Sequence, residues 1–110
     1  MVSKALIAAS TKPIILSILI SGENYGYQII QRVKKISSGT LDWSDGMLYP
    51  VLHRIEKDGF IVSQWKKSEE GRYRKYYSLT DLGKEELKAE KRQWLSVHSA
   101  LAKLWKPIAA

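Results

Sequence analysis

The chain has 110 residues, room for one compact domain and too few for two of ordinary size. Apolar residues make up 45% and charged residues 26%, globular proportions that exclude wholesale disorder. Eighteen Lys and Arg against eleven Asp and Glu leave a net charge of +7, a surplus that nucleic acid, an anionic membrane surface or solubility alone would explain. The lack of Cys excludes disulfide frameworks, Cys-based zinc sites and thiol catalysis, and fits a reducing cytoplasm.

The most hydrophobic run, Ile14 to Ile20, is far shorter than the roughly 18 apolar residues of a membrane-spanning helix. Lys4 and the apolar residues after it imitate an export signal, but Lys12 and Pro13 interrupt the run and SGENYGY lacks a small-x-small cleavage site. The segment reads as core helix instead. Pro13 removes a backbone donor and crowds the preceding turn, so two pieces are expected, one to about Ser10 and one from Lys12 to Ser21. Gly22 is the expected stop.

A second helix fits Tyr25 to Ser37, with Gly26, Ile29, Ile30, Val33 and Ile36 or Ser37 at the spacing of one buried face. Ser44 is an N-cap for a third helix, with Asp45 in its first turn. Leu48, Leu52 (with Val51) and Ile55 form its buried stripe, and Gly59 closes it. Asp45, Tyr49, Pro50, His53 and Lys57 lie away from that stripe, and Pro50 predicts a distorted first turn. A strand from Ile61 to Lys67, a turn at Ser68 to Gly71 and a strand from Arg72 to Leu79 read as a hairpin. Thr80 then caps a long helix reaching Trp105, about 37 Å at the usual rise, with Pro107 beyond it. The fold class is mainly α with a small β-hairpin. It reads as a winged helix-turn-helix over residues 1–79 and a C-terminal dimerisation helix over residues 80–110.

That order has a physical logic: a major groove admits one α-helix, and a basic hairpin reaches the neighbouring backbone. Between Asn24 and Ser78 ten basic residues face six acids, so +4 of the +7 falls there, and five of those bases sit on the hairpin. Lys66, Lys67, Arg72, Arg74 and Lys75 are therefore candidates for phosphate contact, with a solvated basic face as the bland alternative. On the last helix Leu87, Trp94 and Leu101 are seven apart, and Val97, Leu104 and Trp105 join the same side. Apolar surface on that scale needs a cover, and a second copy of the chain is the economical one. Nothing points to an enzyme. There is no nucleophile elbow, phosphate-binding glycine loop or metal-ligand spacing, and His53 and His98 sit on different helices. No cofactor and no metal are expected.

Three motifs, GYQI (Gly26 to Ile29), LYPVLHRIEKDGFI (Leu48 to Ile61) and GRYRKYYSLTDLG (Gly71 to Gly83), together with their spacing, resemble PadR-like bacterial transcription regulators over nearly the whole chain. The nearest likeness is to the short subfamily with a single C-terminal helix, and within it to multidrug-responsive repressors. The resemblance implies a cytoplasmic homodimer on double-stranded DNA with inverted-repeat sites. It implies that Ser44, Asp45 and Gly46 form the groove-facing helix start and that Tyr49 touches DNA; a core tyrosine is the alternative. Pro50 and His53 follow on the same outer face, and Arg74 and Lys75 fall on the basic wing strand. Trp94 matches a tryptophan that faces its symmetry mate, where aromatic plates sandwich a small planar effector. Leu6, Ala9, Pro13, Leu87, Val97, His98, Leu101 and Trp105 would then share that interface, with a plain hydrophobic contact as the alternative. His98 stands where an acid would attract a cationic drug, which counts against cation sensing. Two other readings are a ligand-binding module and a protein-binding winged helix with weak DNA affinity, the latter suggested by Asp42, Asp45, Glu69 and Glu70 near the DNA-facing elements.

Overall fold

The computed structural model describes residues 2–106; Pro107, expected to stop the last helix, lies outside them. Helix α1 spans Lys4–Leu19 without a break, capped by Ser3, whose Oγ accepts from the Leu6 amide. The two-piece expectation is therefore wrong. Pro13 leaves the Ala9 carbonyl without its usual donor, but the turns on either side are held. Thr11 Oγ1 donates to the Ile7 carbonyl and Ser17 Oγ to the Pro13 carbonyl. Ile15, Leu16, Ile18 and Leu19 anchor the following turns in the core.

Strand β1 is only Asn24–Tyr25, and Tyr25 leads directly into α2, Gly26–Ile36. Gly26, Ile29, Ile30 and Val33 form its buried face as expected, whereas Ile36 is 65% exposed and not part of it. Helix α3 is Asp45–Lys57. Ser44 Oγ accepts from the Met47 amide at 3.2 Å, and the helix runs on through Pro50, whose missing N–H leaves only the Gly46 carbonyl without its usual donor. Leu48, Leu52 and Ile55 are fully buried, and Gly59 adopts the left-handed cap conformation with φ +86°.

Strands β2, Ile61–Lys67, and β3, Tyr73–Leu79, form the expected antiparallel hairpin, with Ile61 opposite Leu79 and Lys67 opposite Tyr73. Arg72 belongs to the turn. The sheet is not a lone hairpin, because β1 pairs with β3 to give the order β1-β3-β2. Helix α4 spans Asp81–Leu104, with Thr80 Oγ1 accepting from the Gly83 amide and also donating to the Gly59 carbonyl. That pair of bonds ties the start of α4 to the end of α3.

One core joins all four helices and the two long strands: Ile15 and Leu16, Ile29 and Val33, Leu48, Leu52 and Ile55, Ile61, Tyr77 and Leu87. Leu87 is thus a core residue of its own chain rather than a member of the exposed stripe of α4. Beyond it the helix leaves the body: every residue from Lys91 to Ala100 is exposed.

Candidate nucleic-acid interface

The outer face of α3 carries Asp45, Gly46, Tyr49, Pro50 and His53, all exposed, because the buried stripe occupies the opposite side. Tyr49 is neither a core tyrosine nor fully free of its own chain. Its ring lies against the start of α2, where a Cβ on Gly26 would stand 2.5 Å from the phenol oxygen, yet 37% of the residue stays accessible. The glycine of the GYQI motif is therefore needed for close approach. Any larger residue there would push the Tyr49 ring away from α2.

The wing stands beside this face. Ile61, Ser63, Trp65 and Lys67 share one side of β2, and Tyr73, Lys75, Tyr77 and Leu79 share the matching side of β3. Ile61 and Tyr77 are buried, and Ser63 Oγ donates to Glu56 of α3 at 2.5 Å, so this side of the sheet is turned towards α3. Burial pushes the Tyr77 phenol up to about 12, with the Tyr49 phenol and the Glu56 carboxylate adding to the shift.

The five wing cations are not equivalent. Lys66 pairs with Glu23 and lies 4.8 Å from the centre of the Tyr76 ring. Arg74 stacks 4.3 Å from the centre of the Tyr25 ring and faces Glu70 at 3.6 Å, with only about a fifth of its side chain accessible. These two hold the wing to β1 and to its own turn. Lys67, Arg72 and Lys75 have no ion-pair partner among the described residues. A shallow cleft of about 390 Å³ separates α3 from the wing, bounded by Tyr27, Tyr49, His53, Trp65, Tyr73 and Lys75. Trp65 and Tyr73, absent from the sequence-derived site, are 66% and 71% exposed there. Alternation groups Trp65 with Lys67 and Tyr73 with Lys75, strand by strand; nothing in the sequence signalled that the two groups would share a face or that α3 would stop short of covering them.

A second surface lies between α1 and α4. Lys12 pairs with Glu86 and sits 3.6 Å from Glu90, which in turn accepts from Trp94 Nε1 at 3.2 Å. A groove of about 550 Å³ brings together Pro13, Leu87 and Trp94, with Arg32 and Lys91 among its lining residues. Leu6, Ala9, Val97, His98, Leu101 and Trp105 do not line it. Leu6 and Ala9 lie on the exposed side of the first half of α1 and the other four on or just after the second half of α4, and of the six only Leu101 is half-buried within the chain. Among the described residues no cluster of His, Asp or Glu could hold a metal ion, and no helix is long and apolar enough to cross a membrane.

Three packed helices, a capped recognition-type helix and a basic three-stranded wing define a winged helix-turn-helix, a DNA-binding fold. The family model for PadR-like transcriptional regulators matches residues 15–89, and the chain belongs to that family. An uncharacterized protein of Lysinibacillus sphaericus is 31% identical over 97 residues, which cover 88% of this chain and 89% of that one. A PadR-like transcriptional regulator from Bacillus cereus superposes with a TM-score of 0.84 at 30% identity, over 96% of this chain and all of that one. A transcriptional regulator from Clostridium thermocellum gives 0.83 at 28% identity, over 94% of this chain and all of that one.

Proposed function

We propose that the protein is a cytoplasmic, homodimeric repressor that binds an inverted-repeat operator in double-stranded DNA through α3 and the wing. The observation that carries this reading is the pairing of an exposed α3 face with three uncompensated cations, Lys67, Arg72 and Lys75, on the adjacent wing. Ser44, Asp45 and Gly46 present the start of α3 to the groove, with Tyr49, Pro50 and His53 along its outer edge. Lys66 and Arg74 contribute mainly by fixing the wing. Dimerisation falls to residues 80–110, whose second half exposes Leu95, Val97, Leu104 and Trp105 to solvent in a single chain. Leu6 and Ala9 of α1 lie on the surface that a partner's α4 would cover.

Release by a small planar effector fits the groove beside Trp94. Its polar lining is Arg32 and Lys91 with serines, and Glu90 is already engaged by Lys12 and the indole, so a neutral or anionic aromatic suits it better than a cation. Occupation would change the separation of the two α3 helices and so weaken binding to half-sites about one helical turn apart.

The test is electrophoretic mobility shift with duplex DNA across a salt series. Salt-sensitive binding is expected, because cations that meet phosphates displace counterions. Replacing Lys67, Arg72 and Lys75 together by Ala should lower the slope of log affinity against log salt by about three per subunit. Absence of salt-sensitive binding to any duplex would refute the proposal.

A further inference from the structure

The side of the wing that faces α3 extends further than the helix that covers it. Close to the body this side is packed: Ile61 and Tyr77 are buried and Ser63 is bonded to Glu56. One alternation further out, Trp65 lies opposite Lys75 and Tyr73 opposite Lys67. No helix reaches them, and both rings remain about two-thirds exposed. Two large aromatics on adjacent strands, uncovered and separated only by lysines, form an unpartnered apolar surface that water solvates poorly.

We propose that Trp65 and Tyr73 are non-ionic DNA-contacting residues, an aromatic jaw of the wing that closes on the sugar and base-edge surface of the strand beside the groove occupied by α3. The proposal rests on the DNA-binding reading and adds residues of a different chemistry to it. Charge selects the occupant. The face carries Lys67 and Lys75 in register with the two rings, and the cleft beyond is bounded by His53 and the phenol of Tyr49. Neither lysine has an acidic partner among the described residues, and the acids nearest in sequence, Glu69 and Glu70, lie on the turn, where Glu70 faces Arg74. A polyanion with apolar sugars and base edges between its charges matches that alternation of ring and ammonium; an acidic protein surface offers the charges without the stacked apolar edges.

Ionic and aromatic contacts differ in their response to salt. A lysine that meets a phosphate contributes to both affinity and the salt slope, whereas a ring packed on sugar or base contributes to affinity alone. The probe is the tightest-binding duplex that the wild-type protein selects from a randomised pool. Trp65→Ala and Tyr73→Ala should each weaken binding about tenfold with an unchanged slope, while Trp65→Phe should retain most of the affinity. Lys75→Ala serves as the contrast and should lower the slope by about one per subunit. Both aromatic positions are exposed, so thermal melting should match wild type. Affinities within about twofold of wild type for both Ala variants would overturn the proposal, since such a difference is far below the loss of a buried contact. So would a slope that falls with Trp65→Ala as it does with Lys75→Ala. A Trp65→Ala protein that loses its oligomeric mass without DNA would show that the face packs against a second copy, and would overturn it too. If the wild-type protein selects no duplex, the DNA-binding reading fails and this jaw with it.

Discussion

Gly83 lies in the first turn of α4, where a Cβ would overlap the carbonyl oxygen of Phe60 and stand 2.8 Å from Leu79 Cδ1. The same carbonyl accepts from the Thr80 amide, so it cannot move away without breaking the joint between the wing and α4. Gly83→Ala should therefore destabilise the protein by about 3 kcal/mol in urea unfolding. Gly46→Ala is the control: a Cβ there meets nothing closer than Ser44 Oγ at 4.0 Å, and relief of backbone entropy should stabilise α3 by up to about 1 kcal/mol. Equal destabilisation by both would refute the steric account. Tyr77 supplies a second test at this scale. Its phenol is held protonated in the fold, up to about 12 against an ordinary 10.0, so the folded state binds a proton that the unfolded chain releases. That contribution is complete below about pH 10 and is lost as pH rises towards 12. Stability should fall more steeply across that window in wild type than in Tyr77→Phe. Parallel pH profiles would show that Tyr77 is not the group responsible.

At the scale of elements, the sequence was most informative where periodicity and caps agreed. Ser44, Thr80 and Gly59 bounded α3 and α4 to within a residue, because side-chain caps and left-handed glycines act locally. Strand alternation likewise groups Trp65 with Lys67 on β2 and Tyr73 with Lys75 on β3, and the pairing register joins the two groups into one face. Strand β1 was not legible, since two residues are too short to show alternation and its partner Tyr77 lies 53 positions from Asn24. The Lys66–Glu23 pair was hidden for the same reason, and it changes the charge argument: counting Glu23 with the stretch from Asn24 to Ser78 sets ten bases against seven acids, or +3 rather than +4. Helix α1 was misread because a local rule, proline as a breaker, yields to tertiary packing of the turns that follow. The local cost should still be present. Pro13→Ala is expected to raise stability by about 1–3 kcal/mol in a denaturant melt, by restoring the donor to the Ala9 carbonyl. Destabilisation instead would mean that packing of the pyrrolidine ring outweighs the lost hydrogen bond.

At the scale of the whole molecule, the extents of 59 × 29 × 22 Å describe a body with a projecting rod. The rod is the second half of α4. It presents Val97 at 58% and Leu104 at 79% exposure, positions at which a charge would cost a single chain almost nothing. That makes Val97→Glu a clean probe of association. The variant should fold, with the melting behaviour of a monomer, and sediment at half the mass of wild type. Its DNA affinity should then fall about a hundredfold or more, because the second half-site is no longer bound at the millimolar effective concentration that a linked partner provides. The net charge of +7 on each chain also becomes a test of valence. A dimer engages phosphates with two wings and a monomer with one, so the slope of log affinity against log salt should halve. Lys67, Arg72 and Lys75 are untouched by Val97→Glu, so a halved slope would report the number of wings on the DNA rather than a weaker wing. A monomeric variant that keeps the wild-type slope and affinity would place the whole DNA site on a single chain and leave the apolar half of α4 with some other partner.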